Sequence, residues 1–294
     1  MPWYELADAH DPKLDELAKQ YNLHPVHLDE ARGEDESVKV DTAPLYTFAV
    51  FKPVRLIPDP DNSAEKIPVF TPIDIFAGKD FLITIADPTC PSTQQALERA
   101  RRDGDDQHPA KLVSLILDTV VDLYFPAIDY FDDRIDELED KVFDDPSPEI
   151  LQSVFAIKRE LIDLRRVLVN TRDAALHLQR DPDTIIDAER QPYIRDTYDH
   201  VARLLDSVET QRDLLNNTLD IYLSSVSNRT NEVMKVLTVL GTIAIPVLAI
   251  SGIYGMNLKG LPFEDSPHGA EWVGGITVIA TATLLYVLRK LKWL

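Results

Sequence analysis

The uncharged stretch VLTVLGTIAIPVLAISGI, residues 236–253, leads directly into YGMN, residues 254–257, near the end of a chain of 294 residues. Its length is close to the roughly 20 residues that an α-helix needs to cross about 30 Å of hydrocarbon. A second uncharged run, residues 272–288, is slightly shorter, but Trp272 and Tyr286 can anchor it at the two membrane interfaces. The sequence therefore predicts two transmembrane helices.

Basic residues flank this pair of apolar runs. Lys235 precedes the first run, and Arg289 and Lys290 follow the second. Cytoplasmic flanks of membrane helices carry such an excess of positive charge. We therefore expect a multi-pass protein of the cell (inner) membrane, with both termini in the cytoplasm and a periplasmic loop at 258–271. The single cysteine, Cys90, excludes an intrachain disulfide and fits a cytoplasmic location for the large N-terminal part.

The chain is strongly acidic, with a net charge of −20 at pH 7, and only four of its 50 acidic residues follow residue 230. A negative field attracts cations and repels nucleic acid, although acidic surfaces also serve solubility alone. The sequence contains no P-loop, no Gly-x-Ser-x-Gly and no His-Glu-x-x-His pattern. We therefore expect a protein of the lipid bilayer that is not an enzyme and that binds no nucleic acid, and the charge alone does not decide whether its acidic part attracts cations or serves solubility.

Three segments differ in their residue patterns. Residues 1–105 contain short runs rich in β-branched and aromatic residues between turn signals, which predicts an N-terminal cytoplasmic α/β domain. Residues 106–233 carry apolar residues at helical spacing among many charges, which predicts a helical stalk domain. No glycine or proline interrupts residues 193–240, so the stalk helix should continue into the first membrane helix. Residues 234–294 complete an α+β membrane protein as its two-helix transmembrane domain.

One face of this long helix has a composition of its own. It is polar at its cytoplasmic end and apolar or small within the membrane. At spacings of three and four its residues are Asp220, Leu223, Ser227, Asn231, Met234, Leu237, Gly241, Ile245, Leu248, Gly252 and Gly255. We call the long helix predicted from residue 193 through the first membrane span α7, and these residues the α7 stripe. Small residues on a membrane helix commonly serve close helix packing. The continuation of the stripe into Asp220 and Asn231 instead favours a cation path, with a hydrophobic constriction at Met234 and Leu237.

Several motifs occur together with this arrangement. The triplet Gly255-Met256-Asn257 ends the first of two carboxy-terminal spans, and a basic tail, RKLKWL, follows the second. Further motifs are YIRDTYDH, residues 193–200, and YLSSVSNRTNEVMKVLT, residues 222–238. This combination resembles the CorA family of magnesium and cobalt channels over essentially the whole chain.

The resemblance implies a pentameric funnel, a homopentamer whose first membrane helices line the pore. It implies that Asn257, with Gly255 and Met256, forms the outer entrance and holds hydrated Mg²⁺. A neutral amide ring suits this task, because Mg²⁺ gives up its water shell reluctantly. Asp220 and Asn231 would carry the ion onward. The function implied is potential-driven influx of Mg²⁺, with Co²⁺ as a further substrate.

The resemblance also implies regulation by Mg²⁺ bound between neighbouring cytoplasmic domains. Asp196 matches an acidic residue to which the family's closure is attributed, and Asp87 is a second candidate ligand. A divalent ion between carboxylates of two subunits removes their repulsion and so favours a closed arrangement. The loop LPFEDSPHG, residues 261–269, departs from the family pattern, and Leu248 stands where a threonine is common. Both departures leave the geometry of ion sites in those regions open.

Two other functions remain open at this stage. A zinc transporter of the ZntB branch shares the architecture, but that branch generally replaces the methionine of the triplet, so Met256 favours magnesium. A membrane-tethered sensor of divalent cations, without flux, would use the two spans only as an anchor. His24 and His27 are three residues apart and form a possible metal pair, but Pro25 between them favours a helix start there.

Overall fold

A computed structural model describes residues 1–33, 37–60, 62, 65–103, 108–144, 146–256, 260–263 and 266–290. The chain divides into two compact units, Met1–Leu219 and Asp220–Leu294. We describe each unit by itself.

The first unit contains a five-stranded sheet in the order β1-β7-β6-β3-β2 and a two-stranded sheet of β4 and β5. The strands are β1 (Trp3–Leu6), β2 (Lys39–Ala43), β3 (Tyr46–Phe51), β4 (Val54–Pro58), β5 (Lys66–Phe70), β6 (Ile73–Gly78) and β7 (Leu82–Ala86). Only β1 and β7 pair in parallel, with Trp3 opposite Leu82, and the other pairs are antiparallel.

Every residue of the central strands β3 and β6 is buried. Phe48 of β3 and Phe76 of β6 pack into one core cluster with Leu14 and Leu17 of the first helix. A helix of the stalk contacts β6 as well. Helices therefore cover the central strands of the sheet. This burial explains why the strands are continuous apolar runs and do not alternate between apolar and polar residues.

The predicted hairpin around Gly78 is formed by β6 and β7. The Gly78 N–H donates to the Phe81 carbonyl at 3.0 Å, which closes the turn. A Cβ atom on Gly78 would lie 2.1 Å from Phe81 Cε1. The ring of Phe81 stacks on Tyr21 with centroids 3.9 Å apart, so it cannot move aside easily. Glycine is needed here because the aromatic ring covers the backbone.

The helices of the first unit begin and end at local signals. They are α1 (Pro12–Tyr21), α2 (Pro25–Ala31), α3 (Pro91–Asp103), α4 (Pro109–Asp122), α5 (Tyr124–Asp144), α6 (Pro148–Arg180) and the first part of α7 (Gln191–Gly255). The Asp11 side chain caps α1, and Asn22 ends it in the left-handed conformation with φ 53°. Ser147 and Pro148 start α6 as predicted, although the Ser147 side chain makes no capping hydrogen bond.

The helices α4 to α7 pack through apolar faces and a few polar contacts. Leu161 and Leu168 of α6 are buried, as are Val201 and Val208 of α7. Gln211 of α7 is 1% exposed, and its amide donates to the Ile128 carbonyl at 2.9 Å and to Asp132 at 2.6 Å. These contacts hold α7 against α5. They give the long helix the lateral partners that most helices need for stability.

The second unit contains the rest of α7 and the helix α8 (Gly269–Lys290). Both helices are long and apolar enough to cross a membrane. No described side chain of α8 is buried within the chain, and large apolar residues of α7 such as Val236 and Leu240 are about 60% exposed. Pro246 lies within α7 without ending it. The predicted fold class is confirmed: an α/β domain, a long helix and a C-terminal helix able to span the membrane. The domain boundaries at 105 and 233 stay predictions.

Candidate cation pathway and a second acidic cluster

The α7 stripe lies entirely within the second unit, and its side chains are largely uncovered in the single chain. Leu223, Met234 and Leu237 are each 57% exposed, Ile245 is 66% exposed and Leu248 is 68% exposed. Asp220, Ser227 and Asn231 are exposed too. A surface of this apolar content in a soluble protein would mark an interaction site or a membrane contact. The stripe therefore needs another chain, lipid or a pore around it.

The glycines of the stripe are not explained by packing within the chain. A Cβ atom added to Gly241, Gly252 or Gly255 would meet no described atom within 4 Å. Small residues that allow two helices of one chain to approach would show close neighbours at these positions. Packing against the described part of the same chain therefore does not explain why these three positions are glycine.

The polar residues Asp220 and Asn231 lie at the N-terminal end of the stripe. Among the residues that the structure describes, none donates a hydrogen bond to or forms an ion pair with Asp220 or Asn231. By contrast, the Thr238 and Thr242 hydroxyls beside the stripe donate to carbonyls one turn earlier, each at 2.8 Å. Gly255 ends α7, and Met256, which follows the helix, is 62% exposed. The predicted entrance residue Asn257 lies outside the described residues.

A second group of candidate residues lies in the first unit, where α3, α4 and α7 meet. Asp118 and Asp122 are one turn apart on α4, and Asp196 and His200 are one turn apart on α7. The carboxylate and imidazole atoms of Asp118, Asp122 and His200 lie within 4.8 Å of one another. The His200 Nε2 atom is 3.6 Å from Asp196 Oδ2. We call these four residues the α4–α7 acidic cluster.

Arg99 of α3 partly neutralises this cluster. Its guanidinium donates to Asp118 at 2.9 Å and to Asp122 at 2.5 Å. Burial nevertheless raises the pKa of Asp118, helped by the nearby charges of Asp122 and Asp196 and opposed by Arg99 and His200. The Arg99 guanidinium also lies 3.9 Å from Asp103, so three carboxylates share one positive charge. A bound divalent cation would relieve this imbalance.

The two predicted regulatory residues differ in their surroundings. Asp196 is 70% exposed in the single chain, so its carboxylate is open to a neighbour. Asp87 follows β7 and accepts hydrogen bonds at 2.7 Å from both the hydroxyl and the backbone N–H of Thr89, which lower its pKa. Asp87 thus stabilises the turn that connects β7 to α3. The structure describes no contact between Asp87 and Asp196 within one chain.

Sequence reasoning missed Asp118, Asp122 and His200. The signal that could have found them is the spacing of four, which places Asp118 with Asp122 and Asp196 with His200 on single helix faces. The structure also places the possible metal pair His24 and His27. The His24 ring accepts a hydrogen bond from the Val26 N–H at 3.2 Å, so His24 caps α2, and Pro25 starts that helix as expected.

Comparison with known proteins extends these observations. A family model described as CorA-like Mg²⁺ transporter protein matches residues 1–290. The cobalt/magnesium transport protein CorA of Thermotoga maritima is 31% identical over 295 residues, which cover 99% of this chain and 83% of that protein. The cobalt/magnesium transport protein CorA of Methanocaldococcus jannaschii is 24% identical over 99% of this chain and 91% of that protein. The complete structure of the CorA magnesium transporter from Methanocaldococcus jannaschii matches with a TM-score of 0.82 over 99% of this chain and 91% of that chain.

These matches define a membrane transporter of divalent cations with two candidate membrane helices. The chain belongs to the CorA-like Mg²⁺ transporter family. The resemblance found from the motifs is therefore confirmed. Members of this family are transporters or channels and not enzymes, so the prediction of a non-enzymatic protein is confirmed too.

Proposed function

We propose that this chain assembles as a homopentameric channel through which the membrane potential drives Mg²⁺ into the cytoplasm, with Co²⁺ as a further substrate. The observation that carries the proposal is the α7 stripe, whose polar and glycine positions find no partner among the described residues of their own chain. The named relatives from Thermotoga maritima and Methanocaldococcus jannaschii, both cobalt/magnesium transport proteins, support the choice of ions.

In this proposal five copies of α7 surround the ion path and five copies of α8 face the lipid. Asn257 binds hydrated Mg²⁺ at the outer end through hydrogen bonds to its water shell, which costs less than removing that shell. Asn231 and Asp220 receive the ion at the cytoplasmic end. Met234 and Leu237 lie just inside the membrane and form an apolar constriction that stops ions by excluding water.

The driving force needs no nucleotide. One elementary charge that crosses 100 mV gains about 2.3 kcal/mol, so a divalent ion gains about twice that amount. The orientation required is that of both termini in the cytoplasm, with residues 258–271 outside. The large acidic part then lies on the receiving side, where its negative field raises the local cation concentration.

We further propose that the α4–α7 acidic cluster senses cytoplasmic Mg²⁺ and closes the channel. Asp196 is the residue most open to a neighbouring subunit, and Asp87 of that neighbour is the second candidate ligand. A divalent ion shared between subunits would offset carboxylate repulsion and favour the closed pentamer. Loss of internal Mg²⁺ would restore the repulsion and release the constriction.

Cysteine accessibility tests the pore assignment directly. The chain has one cysteine, Cys90, which is buried, so Cys90→Ser provides a cysteine-free background. In that background Asn231→Cys and Ile245→Cys place a thiol on the stripe, whereas Ile243→Cys places one on the opposite face of α7. All three positions are exposed in the single chain.

We expect a small cationic methanethiosulfonate reagent to block Mg²⁺ influx into proteoliposomes carrying either stripe variant and to leave the Ile243→Cys variant active. Equal block of all three, or block of Ile243→Cys alone, would place the ion path elsewhere. Absence of Mg²⁺ flux in the unmodified background, with Zn²⁺ flux present, would favour a zinc transporter. Absence of any flux would favour a membrane-tethered sensor.

A further inference from the structure

Four charged or metal-ligating side chains meet at the edge of the sheet, outside the pathway described above. His27 and Glu30 are three residues apart on α2, so they share one helix face. Lys39 and Asp41 are two residues apart on β2, so they share one face of the strand. These side chains lie on the edge strand of the five-stranded sheet and the helix beside it, and they are partly exposed, from 13% for His27 to 45% for Asp41. We call it the α2–β2 cluster.

The ligand atoms of the cluster lie somewhat farther apart than those around one bound metal ion. The His27 Nε2 atom lies 3.9 Å from Asp41 Oδ2. The ligand atoms of His27, Glu30 and Asp41 lie within 4.8 Å of one another. Two ligands that share one metal at about 2.1 Å are about 3.4 Å apart in tetrahedral geometry. Small side-chain movements would therefore bring all three ligands onto one ion.

Lys39 already holds a positive charge at this position. Its Nζ atom is 2.5 Å from Glu30 Oε2 and 2.9 Å from Asp41 Oδ2. The two carboxylates thus form a cation site that an internal ammonium fills. An ammonium and a metal ion cannot occupy that site together.

The imidazole of His27 is held in place for metal binding. Its Nδ1 atom is 2.8 Å from the Tyr46 hydroxyl, and that hydroxyl accepts a hydrogen bond from the His24 N–H at 2.8 Å. The ring stacks on Phe48 with centroids 4.9 Å apart. Metal-binding histidines are oriented in this way by a polar group at the second ring nitrogen.

We propose that His27, Glu30 and Asp41 bind a divalent transition metal of the Co²⁺ or Zn²⁺ type in competition with the Lys39 ammonium. The imidazole nitrogen sets the ion class, because such ligands suit Co²⁺, Ni²⁺ and Zn²⁺, whereas Mg²⁺ prefers oxygen ligands alone. When the metal binds, the Lys39 side chain moves out to solvent, which its 29% exposure permits. The site is separate from the α7 stripe and does not depend on flux.

Binding of Co²⁺ to the purified full-length protein in detergent tests this proposal. Equilibrium dialysis gives the affinity, and the visible absorption of bound Co²⁺ reports its ligands. All variants carry His200→Gln, which removes the imidazole of the α4–α7 acidic cluster. We expect His27→Gln to weaken binding at the α2–β2 cluster by at least about tenfold and Lys39→Met to tighten it, because the competing ammonium is gone.

The opposite signs of these two effects distinguish the site from a simple ion-pair network. Lys39→Met that weakens Co²⁺ binding or leaves it unchanged would overturn the competition, and unchanged binding by His27→Gln would overturn the site. Should His27→Gln fail to fold, Asp41→Asn on the edge strand, with a side chain that is 45% exposed, must weaken binding instead. Calorimetric Mg²⁺ binding should be the same in all variants, and a parallel loss of Mg²⁺ binding would contradict the ion class.

Discussion

Glu160 of α6 is a half-buried carboxyl whose protonation should control the stability of the first unit near neutral pH. Burial raises its pKa from 4.5 to about 7. Arg134 opposes this rise from 3.0 Å, but the same guanidinium also forms an ion pair with Glu65, whose charge repels that of Glu160. One guanidinium therefore serves two carboxylates in a site where the Glu160 side chain is 16% exposed. The negative charge of ionised Glu160 is therefore poorly compensated.

The direction of the pH dependence follows from proton counts. Between pH 4.5 and about 7 the folded protein keeps the Glu160 proton while the unfolded chain has lost it. The free energy of unfolding therefore falls as the pH rises through this window. The difference between the two pKa values corresponds to about 3 kcal/mol. This contribution is fully present below pH 4.5 and lost above about pH 7.

Urea unfolding of the wild type and Glu160→Gln, followed by circular dichroism from pH 4.5 to pH 8, measures this contribution. We expect the wild type to lose about 3 kcal/mol relative to Glu160→Gln across that range. Asp163→Asn is the matched control, because Asp163 lies on the same helix, is 58% exposed and contacts Arg166 at 3.1 Å. Its pH curve should parallel that of the wild type. Parallel curves for wild type and Glu160→Gln would refute the argument from burial.

Two further predictions concern gating and folding. In a proteoliposome flux assay, Asp196→Lys should leave the channel more open at high internal Mg²⁺. Asp199→Lys, on the same helix, is the control and should close normally. Normal closure of both variants would remove Asp196 from the sensor. Gly78→Ala should destabilise the first unit by about 1–3 kcal/mol in urea unfolding, because the new Cβ would lie 2.1 Å from the Phe81 ring. Gly274→Ala is the control, because its Cβ would meet no described atom and should not change the stability. Unchanged stability of the Gly78→Ala protein would show that the Phe81 ring can move.

Elements with strong local signals were predictable from the sequence. The β6–β7 hairpin around Gly78, the start of α6 at Ser147 and Pro148, and the long helix α7 all agree with the structure. The strand β1 was not predicted. Its four residues lack a clear alternation of apolar and polar side chains, and its pairing with β7 joins segments about 80 residues apart. Tertiary pairing of this kind overrides local propensity.

The candidate sites show the same limit. The α7 stripe follows from helical periodicity alone, because all its members lie on one helix. The α4–α7 acidic cluster and the α2–β2 cluster combine residues from separate elements, so each was visible in the sequence only as half of a site. His27 illustrates this, because its partner was sought in neighbouring His24, whereas the structure gives it Glu30 and Asp41. Both clusters form only when separate elements pack together, and the sequence pattern does not show which elements pack against each other.

Mg²⁺ influx into proteoliposomes under an inside-negative potential, compared between the wild type and Asn257→Ala, tests whether the protein is a channel with an amide entrance. We expect potential-driven influx in the wild type and its loss in the variant, with both proteins eluting as the same oligomer in size-exclusion chromatography. Influx that persists in Asn257→Ala would contradict an amide entrance site, and a wild type without influx would contradict the channel itself.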